Sequence, residues 1–299
     1  MSRRSLLIAN SSSKYAPTDT VFDVEATTEK LTHKMWVFGT TAIDWGDGVS
    51  ETTSSPVTAS PNVNNLLSHT YATDGTYTIK VSGTGYRLRH NAVSEPNLVT
   101  RIRHIGNNLY SAEGIFGRAG KLAQIDSGCK FVMVTTGNIS NGFAYSGTSL
   151  SFPDGFVSGS NLTNFNSFGY GGGIVSFMSL LPNTAVNLTN FMGYTKLRQL
   201  PENFKIPAGT TNLDGAFDWL AAFFSYDISN MFPEEWATSS KTISVKGMFR
   251  NGVKIYGTAP ANLLWLSGNT FSSTTNCFQG CTQLTNYNDI PASWGGGGA

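Results

Sequence analysis

From Leu98 to the end of the chain the sequence keeps returning to one phrase, and a chain that repeats on this scale has few ways to bury its apolar residues. Segments ending in Phe or a substitute for it recur as AEGIF (Phe116), ISNGF (Phe143), LTNFN (Asn166), LTNFM (Met192), LDGAF (Phe217), VKGMF (Phe249) and TTNCF (Phe278), spaced by 27, 23, 26, 25, 32 and 29 residues. A period of that size is one strand-and-turn unit. A single unit cannot bury its own apolar face, whereas stacked units can, so the pattern predicts a solenoid.

A second phrase recurs in the same region as SFPDGF, QLPENF, MFPEEW and DIPASW: an apolar residue, Pro, two or so polar residues, then an aromatic. Proline ends one element and sets the entry to the next, and the aromatic is expected to fill the interior between coils.

With 299 residues the chain has room for one large domain or two ordinary ones. Charged residues make up 13% and the net charge is +1, which supplies no electrostatic drive toward nucleic acid or an anionic membrane. The 32 glycines and the scarcity of Glu/Lys/Ala/Leu runs read as strands and turns. Three cysteines, Cys129, Cys277 and Cys281, cannot all pair with one another. No stretch approaches the roughly 18 apolar residues of a membrane span. At the N-terminus, SLLIA is shorter than a signal-peptide core, so residues 1–18 are read as an arm and no secretion route is expected.

Residues 20 to 85 read as short strands between turns. KMWVFGTTAIDWGDG is an apolar run, a break at Gly39, then a second run closed by Asp47-Gly48, a dipeptide that tolerates positive φ. In GTYTIKVSG, Tyr77, Ile79 and Val81 alternate with Thr76, Thr78 and Lys80, a period-2 pattern with one face inward. Asp74-Gly75 supplies the turn before it, and Trp45 is the expected core plug.

The combination of W-G-D-G (Trp45, Gly46, Asp47, Gly48) with H-x-Y-x-x-x-G-x-Y-x-I-x-V (His69, Tyr71, Gly75, Tyr77) resembles the PKD family of immunoglobulin-like β-sandwiches. The phrases RIRHIGNN, GMFRNGVKI, NCFQGCTQLTN and IPASWGG resemble the BspA-like leucine-rich repeats of bacterial surface and phage-encoded proteins. These resemblances imply a mainly β chain: an arm (1–18), a PKD-like sandwich (19–86), a linker (87–98) and a leucine-rich-repeat-type solenoid (99–299).

The acidic turn admits two readings. Asp47 and Gly48 can build a turn with Asp44 accepting from backbone amides; alternatively Asp44 and Asp47 can hold a calcium ion, though two carboxylates fall short of the oxygens such an ion needs. Cys277 and Cys281 match neither redox nor zinc spacing and read as small buried residues. His33, His69, His90 and His104 sit near no nucleophile signature, and His69 is expected to cap or pack.

GIFGRAGKL fails as a phosphate loop, because Ile115 stands where Gly is needed and Leu122 where Ser or Thr is needed. GYGGGIV lacks dinucleotide-fingerprint spacing and reads as a turn. The N-x-S/T triplets at Asn138, Asn161 and Asn187 are expected by chance in such a composition. Adjacent Glu234 and Glu235 point to opposite sides of a strand and make a poor acid/base pair. No cofactor, metal or catalytic constellation is expected, and the chain is not read as an enzyme.

What remains is contact. The expected role is a structural or adhesion protein of a tailed phage particle, a decoration, fibre or tail-surface component made in the host cytoplasm and present in many copies. Its partners would be other virion proteins and a host-surface protein or glycan. A bacterial cell-surface adhesin and a glycan-binding module are the alternatives. Trp219, Phe223, Phe224, Tyr226 and Trp265 are the candidate contact residues, with burial in the solenoid as the competing reading, and a short helix is the alternative expectation for WLAAFFSYDISNMF.

Overall fold

The computed structural model describes residues 14–60, 65–90, 97–131, 137–157, 161–220 and 225–298. Its described N-terminal strands are β1 (Thr20–Ala26), β2 (Thr32–Phe38), β3 (Thr41–Asp44), β4 (Ser50–Thr53), β5 (Leu66–Thr70), β6 (Gly75–Gly83), β7 (Arg87–Arg89) and β8 (Val99–His104). They form two sheets, one in the order β4-β3-β6-β1-β8 with antiparallel pairing throughout, the other β5-β2-β7, also antiparallel. The period-2 reading of β6 holds: Ile79 and Val81 are buried and Lys80 is exposed. Phe22, Val24, Ile43 and Trp45 of the first sheet share one apolar cluster with Met35, Val37 and Leu88 of the second.

Two ends of the expected linker 87–98 are built into this core. Arg87–Arg89 is a strand of the smaller sheet, and Leu98 is buried next to β8, which lies beside β1. β8 also pairs in parallel with β9 (Gln124–Ile125), so the larger sheet runs on into the repeat region. The spacing pattern could not show this, because β8 precedes the first repeat phrase yet joins a strand on each side.

The C-terminal part is a β-solenoid of about six turns. Its strands are short and pair in parallel with the next coil: β10 (Gly137–Asn138) with β12 (Leu162–Asn164), β11 (Leu150–Phe152) with β13 (Ile174–Phe177), β14 (Tyr226–Asp227) with β16 (Ile255–Tyr256), and β15 (Thr242–Ser244) with β17 (Thr270–Ser273). A column of polar residues marks the start of each repeat: Asn138, Asn164, Asn187, Asn212, Ser244 and Ser273 bridge one to the next. In four of them the side-chain amide oxygen accepts the N–H two residues on, Ser140 (2.9 Å), Asn166 (3.0 Å), Thr189 (3.0 Å) and Asp214 (3.5 Å). That local bond turns the chain out of the strand.

Three residues past this column, each coil passes through left-handed backbone at Gly114, Asn141, Ser167, Asn190, Gly215, Gly247 and Asn276, and four residues later it does so again at Arg118, Tyr145, Gly171, Tyr194, Trp219, Asn251 and Gly280. Each member of the second series donates its backbone N–H to the residue just before the next member, as in Tyr145 N–H to Tyr170 O (2.9 Å) and Trp219 N–H to Arg250 O (2.9 Å).

This register corrects one repeat boundary. The unit assigned to Asn166 is offset by three residues: the position equivalent to Phe143 and Met192 is Gly169, so the spacings run 27, 26, 23, 25, 32 and 29. The two copies of LTNF mislead because the first spans β12 and the turn after it, whereas the second begins one residue past the polar column. The interior adapts. Phe116, Phe143, Phe168, Phe191, Phe217, Phe249 and Phe278 form a continuous ladder with ring centroids 5.2–6.0 Å apart. In the two middle coils the ring comes from the position before the one used elsewhere.

The proline phrases work as expected. Phe156, Phe204, Trp236 and Trp294 each donate a backbone N–H to the carbonyl of the proline three residues earlier (2.9–3.3 Å), and each side chain is buried. The far end is closed by Trp294, which stacks on Phe278 (6.4 Å) and meets the edges of Phe271 (4.7 Å) and Trp265 (5.9 Å). The described part of the WLAAFFSYDISNMF window is turn and strand rather than helix. Among the described residues, no helix is long and apolar enough to cross a membrane.

Candidate functional site

The acidic turn between β3 and β4 is held together by its own side chains. Asp44 Oδ1 accepts from Gly46 N–H (2.9 Å) and Asp47 Oδ1 from Val49 N–H (3.1 Å), while Asp47 Oδ2 bonds His69 Nε2 (2.8 Å). Partial burial opposes ionisation of Asp47, but the His69 and Val49 hydrogen bonds outweigh it and hold the carboxyl below its ordinary pKa. Gly46 is required twice over: its φ is +83°, and a Cβ there would lie 2.6 Å from the carbonyl oxygen of Thr78. Gly48 also takes positive φ (92°), as the Asp-Gly pair predicts.

Around this turn the rings interlock. Trp45 is fully buried and donates Nε1–H to Glu51 (2.8 Å); His69 stacks on its indole (4.8 Å, 12°); Tyr71 donates its hydroxyl to the Trp45 carbonyl (3.1 Å) and stacks on Tyr77 (3.9 Å, 10°). Gly75 opens β6 opposite Ala26. The Asp44 and Asp47 oxygens named above are thus engaged in the turn, and no group of three or more His, Cys, Asp or Glu among the described residues could hold a metal ion. A His–carboxylate pair can orient a base, but this histidine is clamped between Trp45 and Tyr71. The arrangement fixes a turn.

The exposed chemistry lies elsewhere, on the second left-handed column of the solenoid. Tyr145 (54% exposed), Tyr194 (44%) and Trp219 (52%) occupy it, and with Tyr170 they make a continuous stripe across four coils. Successive ring centroids are 5.8, 5.3 and 5.9 Å apart. These are three of the five exposed aromatic residues in the described chain. A non-glycine residue in left-handed backbone costs roughly 1–2 kcal/mol, and the same column elsewhere holds Gly171, Asn251 and Gly280, residues suited to it, and Arg118. The third coil shows how the stripe stays continuous: a Cβ at Gly171 would press to 2.7 Å from the Tyr145 ring, and the aromatic is carried by Tyr170 instead.

Beside the stripe lies a groove of about 270 Å³ whose side chains are polar, among them Thr189, Asn190, Asp214, Asp218, Lys246 and Arg250. Arg250 joins groove to stripe. Its Nε and Nη2 donate to the two oxygens of Asp218 (3.1 and 2.5 Å), and Nη2 lies 3.5 Å from the Tyr194 hydroxyl. The hydrogen bond to Asp218 raises the Arg250 pKa further, against a smaller opposing effect of burial, so this cation is permanent. Within the stripe, burial and then the neighbouring phenols Tyr145 and Tyr194 raise the pKa of Tyr170.

Of the sequence-derived contact residues, Trp219 is exposed and belongs to the stripe. Tyr226 is half-buried and donates its hydroxyl to Pro201 O (2.8 Å), and Trp265 packs edge-on to Trp294. Phe223 and Phe224 lie outside the described residues. Sequence reading passed over Tyr145, Tyr170 and Tyr194. Their signal was positional: each falls seven residues, or six for Tyr170, after the polar residue that starts its repeat, and only the corrected register lines them up.

The cysteines are free and buried; burial pushes the Cys129 and Cys281 thiols up to about 12. His33 and His90 form a buried pair, Nε2 to Nε2 at 3.4 Å, with His90 Nδ1 against the Ile115 carbonyl. Glu234 and Glu235 lie in a short 3-10 turn, Glu234–Ala237, rather than a strand. No protein-family model matches the chain, and no curated protein or solved structure is significantly similar to it.

Proposed function

We propose that the chain is a non-enzymatic adhesion protein that works by surface contact as a component of a tailed phage particle. The aromatic stripe carries this reading. Three exposed rings sit on backbone that disfavours them, at positions where three of the other coils use glycine or asparagine and the first uses Arg118, and strained backbone retained beneath exposed rings points to a purpose other than folding. A stripe spanning four coils also gives many weak contacts in line, and display in many copies multiplies them.

In this reading the N-terminal sheets are an immunoglobulin-like sandwich of PKD type and the solenoid is a BspA-type leucine-rich-repeat array. The two-sheet core and the W-G-D-G turn closed by His69 and Tyr71 support the first. The six-membered polar column and the seven-membered Phe ladder support the second. The particle is favoured as the setting because these two modules resemble parts of phage and bacterial surface proteins; fold analogy alone assigns no activity. Mass spectrometry of purified particles from a culture carrying this gene tests it. Tens to hundreds of copies per particle are expected. Absence from particles together with recovery on the cell envelope would replace the virion setting by a bacterial adhesin.

A further inference from the structure

The stripe and the groove beside it are one surface, and its chemistry selects a class of ligand. Tyr and Trp offer flat apolar faces with a polar handle at the rim. The groove offers the complement: amide, hydroxyl, carboxylate and guanidinium groups within reach of whatever lies on the rings. Its charges balance, with Asp214 and Asp218 against Lys246 and Arg250. An acidic chain such as a nucleic acid or polyuronate would meet two carboxylates there, and binding of that kind rests on a surplus of cations. A proline-rich peptide would need apolar slots between the rings, and the groove residues named above are polar. A sugar ring needs both faces at once, an apolar C–H side to stack and a belt of hydroxyls to hydrogen-bond.

Periodicity adds a second constraint. Rings recur once per coil with centroids 5.3–5.9 Å apart, each turned from the last, by 86°, 59° and 22°. A surface that offers one ring per coil fits a ligand whose units recur on a similar spacing and turn about their linkages.

We propose that this surface binds a neutral linear polysaccharide lying along the solenoid axis, with pyranose rings against Tyr145, Tyr170, Tyr194 and Trp219 and hydroxyls turned to Asn190, Asp218 and Arg250. The proposal rests on the adhesion reading above and names the receptor chemistry for it. Sites built to hydrogen-bond hydroxyls discriminate strongly, because a ligand lacking them leaves buried polar groups unpaired.

The test uses the full chain in affinity electrophoresis through gels containing soluble β-1,4-glucan, galactomannan or α-1,4-glucan, with polygalacturonate as the acidic control and polyproline as the apolar one. Retardation by at least one neutral polysaccharide is expected. It should be accompanied by a blue shift in the emission of Trp219, the one exposed tryptophan among the six. Trp219→Gly and Tyr194→Gly should each weaken retardation at least tenfold. Glycine suits both backbone positions, so these variants should melt within a few degrees of the wild type, and a melting scan run alongside excludes a folding defect as the cause of the loss. Retardation by polygalacturonate or polyproline alone, by no polymer, or by a neutral polymer equally in wild type and both variants overturns the proposal. The outcomes are separable from those of particle proteomics: retardation without presence in particles leaves the ligand class standing and removes the virion setting, and presence without retardation does the reverse.

Discussion

The N-terminal sheets and the solenoid are both β-structure, yet they hold together over different distances. β1 pairs with β6, about 55 residues away in register from Thr20↔Val81 to Ala26↔Gly75, and with β8 beyond it. In the solenoid the partner of each polar-column residue is one repeat away, and the same few contacts recur: an amide cap, a Phe on a Phe, a backbone rung. A long-range sheet fails as a unit when its centre is damaged, whereas a stack of coils loses a neighbour term. The comparison also separates two uses of left-handed backbone: Gly46 closes a turn where an added Cβ would meet the Thr78 backbone of β6, while Tyr145, Tyr194 and Trp219 carry side chains outward to solvent.

The largest effect is expected in the sheets. Trp45→Ala removes a fully buried indole that packs His69 and bonds Glu51, and should lower stability by about 3–5 kcal/mol. Chemical denaturation followed by circular dichroism would measure it, with hydrogen exchange showing loss of protection across β1, β3 and β6 together. If protection fell only at the turn, the contrast with the solenoid would be wrong.

Acid should act where the two regions meet. His33 and His90 lie between β2, the segment after β7 and the first coil, touching Phe22 and Phe116. Burial, then the neighbouring histidines His90 and His69, holds His33 well below 6.5, and burial lowers His90 to about 4 despite its bond to Ile115. The unfolded chain therefore binds more protons than the folded one between roughly pH 6.5 and 4. Stability is full above that window and falls as pH drops through it, by about 1.4 kcal/mol per pH unit for each histidine. Urea midpoints at pH 7, 6 and 5 should decline, and His33→Phe should flatten the decline.

A smaller effect separates one coil from the whole. Asn187→Ala removes the cap on Thr189 N–H and should cost about 1 kcal/mol, with exchange quickening in the coils on either side and not in the N-terminal sheets. The smallest change should come from the stripe. Trp219→Gly relieves left-handed strain and loses only exposed contacts, so stability should move by less than about 1 kcal/mol, readable as a melting shift of a few degrees at most. A large loss there would make Trp219 a packing residue and remove it from the binding surface.

Much of the architecture was legible in the residues. The Asp-Gly turns, the alternation in β6, the recurring Phe and the proline phrases each impose a local geometry wherever they occur, and the structure obeys them. The repeat register at 162–169 was not legible, because two identical LTNF phrases sit three residues out of phase and only backbone pairing tells a strand residue from a turn residue. The aromatic stripe was hidden for a related reason: Tyr145, Tyr170, Tyr194 and Trp219 are 25, 24 and 25 residues apart and share no local motif. Among the contact residues, Trp219 and Trp265 look alike in the sequence, yet Trp219 stands exposed on the left-handed column while Trp265 packs edge-on to Trp294.

By itself the sequence determined which segments turn, which alternate and that the region after residue 98 must stack, since those follow from the backbone freedom of Gly and Asn, the fixed φ of Pro and the need of each short repeat to cover its neighbour's apolar face. The tertiary structure decided that β8 joins the two regions, that His33 meets His90 and that four aromatics line one edge. Each of those depends on which distant backbone groups pair, and a pairing energy is shared between two segments, so neither segment alone encodes it.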